Sequence, residues 1–130
     1  MLDRLLAGYC APTGSFDAVA AARGKQVFTT VGKCASCHSG ATLTDANSQL
    51  HPASGVASEP EPNGAPSYAS RSATKRYRTA PLKGLWQHPP YFHNGTAKTL
   101  EDVVQTYNTK QALGLTSTQR SDLVEYLKSL

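Results

Sequence analysis

The stretch C-A-S-C-H at residues 34–38 combines the residue types that attach a haem group to a polypeptide. In the C-x-x-C-H pattern, the two thiols add to the vinyl groups of haem, and the histidine that follows binds one face of the iron. A zinc site would need further cysteine or histidine ligands at short spacing, and a thioredoxin-like dithiol would follow a strand. The motif therefore predicts one haem c bound covalently through Cys34 and Cys37, with His38 as an axial ligand of the iron.

The second axial position of the iron has no obvious occupant in the sequence. The usual ligand is methionine, and the only methionine of the chain is Met1, in a terminal segment. Imidazole binds haem iron strongly, so His93 is one alternative. His51 and His88 are two more, although each also fits an ordinary surface histidine. Water or an empty position is a further alternative.

The composition suits one small domain with a modest core. The chain has 130 residues, 39% of them hydrophobic, and a net charge of +4. Its lysines and arginines are spread out without a nucleic-acid motif, and no run of 18 apolar residues occurs, so neither nucleic-acid binding nor a membrane span is expected. The start M-L-D-R-L-L is a poor secretory signal. Because haem c is normally attached outside the cytoplasm, the motif nevertheless predicts a periplasmic or extracellular location.

The chain divides into a short arm and one domain. Residues 1–14 are predicted to be an irregular arm or linker, and residues 15–130 a domain with one haem. Cys10 in the arm is interpreted as an unpaired thiol, with a disulfide-linked dimer or a tether to a missing upstream domain as alternatives. Residues 39–76 are rich in Ser, Gly, Pro and Asn. A loop of this length is expected to wrap the haem, and disorder of residues 52–66 is the competing interpretation.

Three segments have helical patterns. Residues 15–31 are predicted to be a helix capped by Ser15 or Asp17, and residues 116–130 an amphipathic helix. Thr99 is a predicted N-cap, with acidic residues in the following turn. The predicted apolar stripe of the first helix consists of Phe16, Val19, Ala20, Arg23 through its aliphatic stem, and Val27.

Several of these stretches resemble the cytochrome c family. A-A-R-G-K-Q-V-F before the haem motif and D-L-V-E-Y-L-K-S-L at the end are similar to its N- and C-terminal helices. The run Y-R-T-A-P-L-K-G-L-W-Q-H-P-P-Y-F-H-N-G-T-A-K-T-L-E-D-V-V, residues 77–104, resembles the C-terminal domain of the bacterial di-haem cytochrome c peroxidase and methylamine-utilisation haem-protein superfamily. The resemblance implies an all-α cytochrome c fold. In that fold the N- and C-terminal helices cross at the glycine, here Gly24, and long loops wrap one haem.

The same resemblance points to a residue for the second axial position. In the peroxidases, a methionine ligand lies fourteen residues after the histidine of P-Y-F-H. That histidine is His93 here, and Tyr107 stands fourteen residues later. Tyrosine is the ligand in the methylamine-utilisation relatives, which makes Tyr107 a candidate ligand, with packing beside the ring as its alternative. The family places His93 near the haem without binding the iron.

Further residues of this region are predicted to surround the haem. Trp86, Tyr91 and Phe92 are expected to pack against the ring. Arg78 is expected to neutralise the haem propionates, and Tyr77 to donate a hydrogen bond to them. The basic cluster at residues 71–78 also fits a docking patch or a solvated loop face.

The expected function is one-electron transfer between redox partners, with another redox protein or a fused oxidoreductase domain as the partner. Such transfer needs no general acid, base or nucleophile, so an electron carrier is preferred to a catalyst. An open iron position would instead permit peroxidase or oxygen-reducing activity, or sensing of a gas ligand. The activity of the di-haem peroxidases does not carry over directly, because this chain has a single haem motif.

Overall fold

The computed structural model describes residues 11–130, so the predictions for Cys10 and most of the arm lie outside the described residues. In this range the α-helices are α1 (Ala18–Thr29), α2 (Tyr68–Arg71), α3 (Leu100–Lys110) and α4 (Ser117–Lys128). Short 3-10 turns lie at Cys34–Ser36, Ala53–Gly55, Pro62–Gly64 and Leu85–Gln87. Two short antiparallel strands, β1 (His51–Pro52) and β2 (Arg76–Tyr77), were not predicted from the sequence. Every helix in the described range is too short or too polar to cross a bilayer.

Side-chain caps set the starts of the three long helices. Asp17 accepts hydrogen bonds from two backbone N–H groups at the start of α1, so this helix begins later than residue 15. Thr99 and Asp102 form a capping box at α3, which confirms the predicted N-cap. Thr116 and Gln119 form a second capping box at α4. These caps satisfy backbone donors that have no partner inside the helix.

Helices α1 and α4 pack closely because α1 presents its smallest side chains to α4. A Cβ atom on Gly24 would overlap the carbonyl oxygen of Asp122 and lie 2.9 Å from the Cβ of Tyr126. The predicted apolar stripe of α1 is therefore wrong in two places. Val19 is 69% exposed, and Arg23 forms an ion pair with Asp122. The buried residues of α1 are Ala20, Ala21, Gly24, Val27 and Phe28.

The hydrophobic core joins α1, α3, α4 and the chain between residues 82 and 97. Its buried members are Val27, Phe28, Leu82, Tyr91, Ala97, Leu100, Val104, Leu115, Leu123, Val124, Leu127 and Leu130. Cys34, Leu43, Phe92 and Tyr126 are partly buried against this cluster. The haem motif is therefore anchored at an edge of the core.

The ion pair between α1 and α4 gives a pH-dependent prediction. Asp122 is 6% exposed and accepts from Arg23 Nε at 2.8 Å and Nη2 at 2.7 Å. Hydrogen bonding to the guanidinium lowers the pKa of this carboxyl below its ordinary 3.8. A lowered folded-state pKa stabilises the fold above about pH 4, and this stabilisation is lost as the pH falls through the folded-state value.

We expect Asp122→Asn to lower the free energy of unfolding at pH 7. We also expect the variant to lose less of this free energy than the wild type between about pH 4 and pH 2. Chemical denaturation at a series of pH values, followed by circular dichroism, measures both effects. The control is Glu101→Gln, which changes an exposed carboxylate of α3 and should keep the wild-type acid dependence. The same acid dependence in Asp122→Asn and wild type would contradict the prediction.

Candidate haem site

The C-A-S-C-H motif follows α1 and forms a tight turn. Lys33 has a left-handed backbone with φ of 55°, and Cys34–Ser36 is a single 3-10 turn. The N–H groups of Cys37 and His38 both donate to the carbonyl of Cys34, at 3.2 and 2.9 Å. The turn keeps the side chains of Cys34, Cys37 and His38 partly buried at the edge of the core.

The orientation of His38 suits an iron ligand. Its Nδ1 lies 3.0 Å from the carbonyl oxygen of Leu43. Since a carbonyl only accepts, Nδ1 carries the proton, and in the neutral ring Nε2 has the lone pair. Burial lowers the pKa of His38, which favours the neutral form that binds metals.

Tyr107 lies on α3, with its ring centroid 6.0 Å from that of Phe92. Within residues 11–130 its hydroxyl makes no hydrogen bond. Burial raises the pKa of Tyr107 to about 12, with a further electrostatic contribution from Cys34 and Cys37. A partly buried phenol that makes no hydrogen bond in this range and interacts electrostatically with two thiols fits a covalently bound haem c. Its role as a ligand stays a prediction.

His93 has partners at both ring nitrogens. Nδ1 lies 3.0 Å from Ser58 Oγ, and Nε2 pairs with the carboxylate of Glu61. The ring also lies against Tyr77, with centroids 5.0 Å apart. Binding of His93 to iron would therefore require its pair with Glu61 to break.

Two of the predicted pocket residues have donor groups without an acceptor. Tyr77 is buried, and its oxygen accepts from the N–H of Ala69 at 3.4 Å, which leaves its own proton unused within the described range. In the same range, the buried indole N–H of Trp86 has no partner. Arg78 is exposed and makes no ion pair there. Both free donors and Arg78 are chemically suited to carboxylate acceptors such as haem propionates, and these roles stay predictions.

His51 is not the ordinary surface histidine considered from the sequence, whereas His88 is exposed. His51 Nε2 lies 2.8 Å from Asp45 Oδ2, and Nδ1 lies 4.0 Å from Cys37 Sγ. Hydrogen bonding from Thr79, followed by Gln49 and His51, lowers the pKa of Asp45 to about 2. Sequence reasoning missed this pair because no regular element links residues 45 and 51.

A cytochrome c family model matches residues 21–130. The chain belongs to the cytochrome c family. Membership confirms the fold at this level and implies a covalently attached haem c that takes part in electron transfer.

Two curated relatives connect this cytochrome c to larger redox proteins. Cytochrome-c peroxidase IdrP2 of Denitromonas iodatirespirans is 29% identical over 82% of this chain and 38% of the relative. Hydrazine synthase subunit gamma of Kuenenia stuttgartiensis is 41% identical over 43% of this chain and 17% of the relative. The chain thus spans well under half the length of either protein.

Solved structures give the same fold. A MauG-like protein associated with microbial copper homeostasis has a TM-score of 0.65 and 20% identity, over 94% of this chain and 51% of that one. Hydrazine synthase of Kuenenia stuttgartiensis has a TM-score of 0.62 and 24% identity, over 93% and 50%. Together with the peroxidase match, these confirm the resemblance to the peroxidase and MauG-type superfamily.

Proposed function

We propose that this domain transfers single electrons between redox partners through one haem c, attached by Cys34 and Cys37. His38 and Tyr107 would bind opposite faces of the iron. The observation that carries this proposal is Tyr107, a partly buried residue whose hydroxyl has no hydrogen-bond partner within residues 11–130 and which interacts electrostatically with the thiols of the motif. Two protein ligands leave no iron position for a substrate, which favours electron transfer over turnover.

Tyr107 would also set the redox properties of the site. When bound, the haem supplies a one-electron couple between ferric and ferrous iron. Burial opposes ionisation of the Tyr107 phenol, so a phenolate needs a nearby positive charge, which ferric iron provides. A hard anionic oxygen favours the ferric state more than a thioether does, so the reduction potential should be low for a cytochrome c.

The remaining predicted features belong to the same proposal. Residues 15–130 would form the haem domain, with α1 and α4 crossing at Gly24 and the loop of residues 39–76 wrapping the ring. Arg78 and Tyr77 would hold the propionates, and the ring would pack against the side chains of Trp86 and Phe92. The partner would be a redox protein or a fused oxidoreductase domain, in the periplasm or outside the cell.

The second candidate function is peroxidase activity. It is favoured by the likeness to cytochrome-c peroxidase IdrP2, although the chain covers only 38% of that protein. This function requires an iron position open to peroxide, and the same opening would permit oxygen reduction or gas sensing. Occupancy of the second axial position therefore separates the candidate functions.

Binding of a small anion to ferric iron tests the proposed function. We expect the ferric wild-type holoprotein to show no rapid azide adduct in its absorption spectrum, because ferric iron is the state that holds the Tyr107 phenolate most strongly. Tyr107→Phe should form the adduct quickly. A rapid adduct in ferric wild type, together with sustained consumption of hydrogen peroxide, would establish the enzymatic alternative instead.

A further inference from the structure

Three side chains that could bind a metal ion lie together outside the haem motif. Glu59, Glu61 and His93 each place one ligand atom within 4.8 Å of the others. They come from two segments that are distant in sequence, and the ring of His93 lies against Tyr77 with the centroids 5.0 Å apart. The fold thus gathers one imidazole and two carboxylates at one point.

Neighbouring side chains hold two of these three groups in place. Ser58 Oγ lies 3.0 Å from His93 Nδ1, which directs Nε2 towards the carboxylates. Asn94 Nδ2 donates to Glu61 Oε2 at 2.8 Å, while Glu61 Oε1 faces His93 Nε2. The side chains of Glu61 and His93 are only 7% and 23% exposed. Metal ligands in proteins are typically oriented by outer hydrogen bonds of this kind.

The third side chain, Glu59, has a carboxylate oxygen without a hydrogen-bond partner in the described range. Glu59 Oε1 is shielded from solvent, and no donor within residues 11–130 reaches it. A buried carboxylate oxygen without a partner destabilises the fold, and a bound cation removes that cost.

We propose that Glu59, Glu61 and His93 bind a divalent first-row metal ion, with Zn²⁺ as the representative ion. The nitrogen ligand argues against Ca²⁺ and Mg²⁺, which prefer oxygen, whereas imidazole with carboxylate suits zinc. Zinc replaces the proton that His93 Nε2 donates to Glu61, and the carboxylate of Glu59 gains a partner. The ion joins the segment of residues 58–61 to the loop that contains His93. The site does not depend on the proposed electron-transfer function.

Zinc titration of the chelator-treated holoprotein tests the site. We expect isothermal titration calorimetry to give one zinc per chain and thermal unfolding to shift upward with zinc. Glu59→Gln should weaken binding by at least about tenfold. Because Glu59 Oε1 has no hydrogen-bond partner in the described range, the substitution breaks no hydrogen bond at this atom. An unchanged haem absorption spectrum will show that the variant is folded. Glu101→Gln and His88→Gln, at an exposed carboxylate and an exposed histidine elsewhere, should bind zinc like the wild type.

A second variant tests the orientation of the ligands without removing one. Ser58→Ala keeps all three side chains but takes away the hydrogen bond to His93 Nδ1, and we expect roughly tenfold weaker zinc binding. The proposal is overturned if wild type binds no zinc below about 1 mM. It is equally overturned if Glu59→Gln binds as tightly as wild type, or if His88→Gln abolishes binding.

Discussion

Replacement of Tyr107 by phenylalanine is expected to change the coordination of the haem iron. The variant keeps the ring that lies 6.0 Å from Phe92 and removes only an oxygen that makes no hydrogen bond within residues 11–130. We expect the ferric absorption spectrum to change spin state or lose a phenolate charge-transfer band. The reduction potential should rise by about 0.1 V or more, a fraction of the roughly 0.8 V that axial ligands span. Spectra across pH and a potentiometric titration measure these effects.

Tyr126→Phe is the matched control for this experiment. Tyr126 lies on α4, and its ring centroid is 5.2 Å from that of Phe28. As at Tyr107, the substitution removes one phenol hydroxyl and keeps the ring. Its burial raises the pKa of the phenol, with a further contribution from Cys34, so it samples a similar environment. The control should retain the wild-type spectrum. If Tyr107→Phe also retains it, Tyr107 only packs beside the ring, and His93 becomes the next residue to replace.

The haem motif could be predicted from the sequence because its chemistry is local. Cys34, Cys37 and His38 are almost contiguous, so one turn brings them together whatever the rest of the chain does. Tyr107 is different, because fourteen residues separate it from His93 and helix packing determines where it lies. Only the family resemblance pointed to Tyr107, and the structure adds that it is partly buried and that its hydroxyl makes no hydrogen bond to residues 11–130.

The charged pairs of the loops could not be predicted, for a related reason. His51 meets Asp45, and His93 meets Glu61, in segments without helical or strand periodicity. A pattern of residue types predicts which side chains share a face of a helix or strand. It does not predict contacts between loop residues, because tertiary packing sets the distances between them. The metal site proposed at Glu59 therefore had no sequence signal.

The predicted buried face of α1 was partly wrong because hydrophobic periodicity gives small residues little weight. The predicted stripe shares Ala20 and Val27 with the buried face of α1, but it includes Val19 and Arg23 where the structure buries Ala21 and Gly24. The distance between two packed helices depends on the side chains at the contact, so the close approach of α1 to α4 needs small residues there. Val19 stays exposed, although its burial would be favourable by itself. Gly24 lies against α4, a position that the hydrophobic pattern did not indicate, and the crossing of the two helices at this glycine stays a prediction of the resemblance.

Gly24→Ala is expected to destabilise the protein by about 3 kcal/mol or more, the upper part of the range for overpacked sites. The added Cβ would overlap the Asp122 carbonyl oxygen and lie 2.5 Å from its carbonyl carbon. These are backbone atoms of α4, so no side-chain rotation relieves the overlap, and the two helices must move apart. The roughly 1 kcal/mol that alanine gains over glycine in a helix is too small to compensate. Denaturant unfolding of the holoprotein measures the loss.

Gly55→Ala separates this steric effect from the general effect of replacing a glycine. Within the described chain, a Cβ at Gly55 would meet no atom within 4 Å. That variant should change the free energy of unfolding by less than about 1 kcal/mol, since it mainly restricts the unfolded chain. A similarly small change at Gly24 would mean that α1 and α4 separate at little cost. Their close contact would then not be what holds the haem motif against the core.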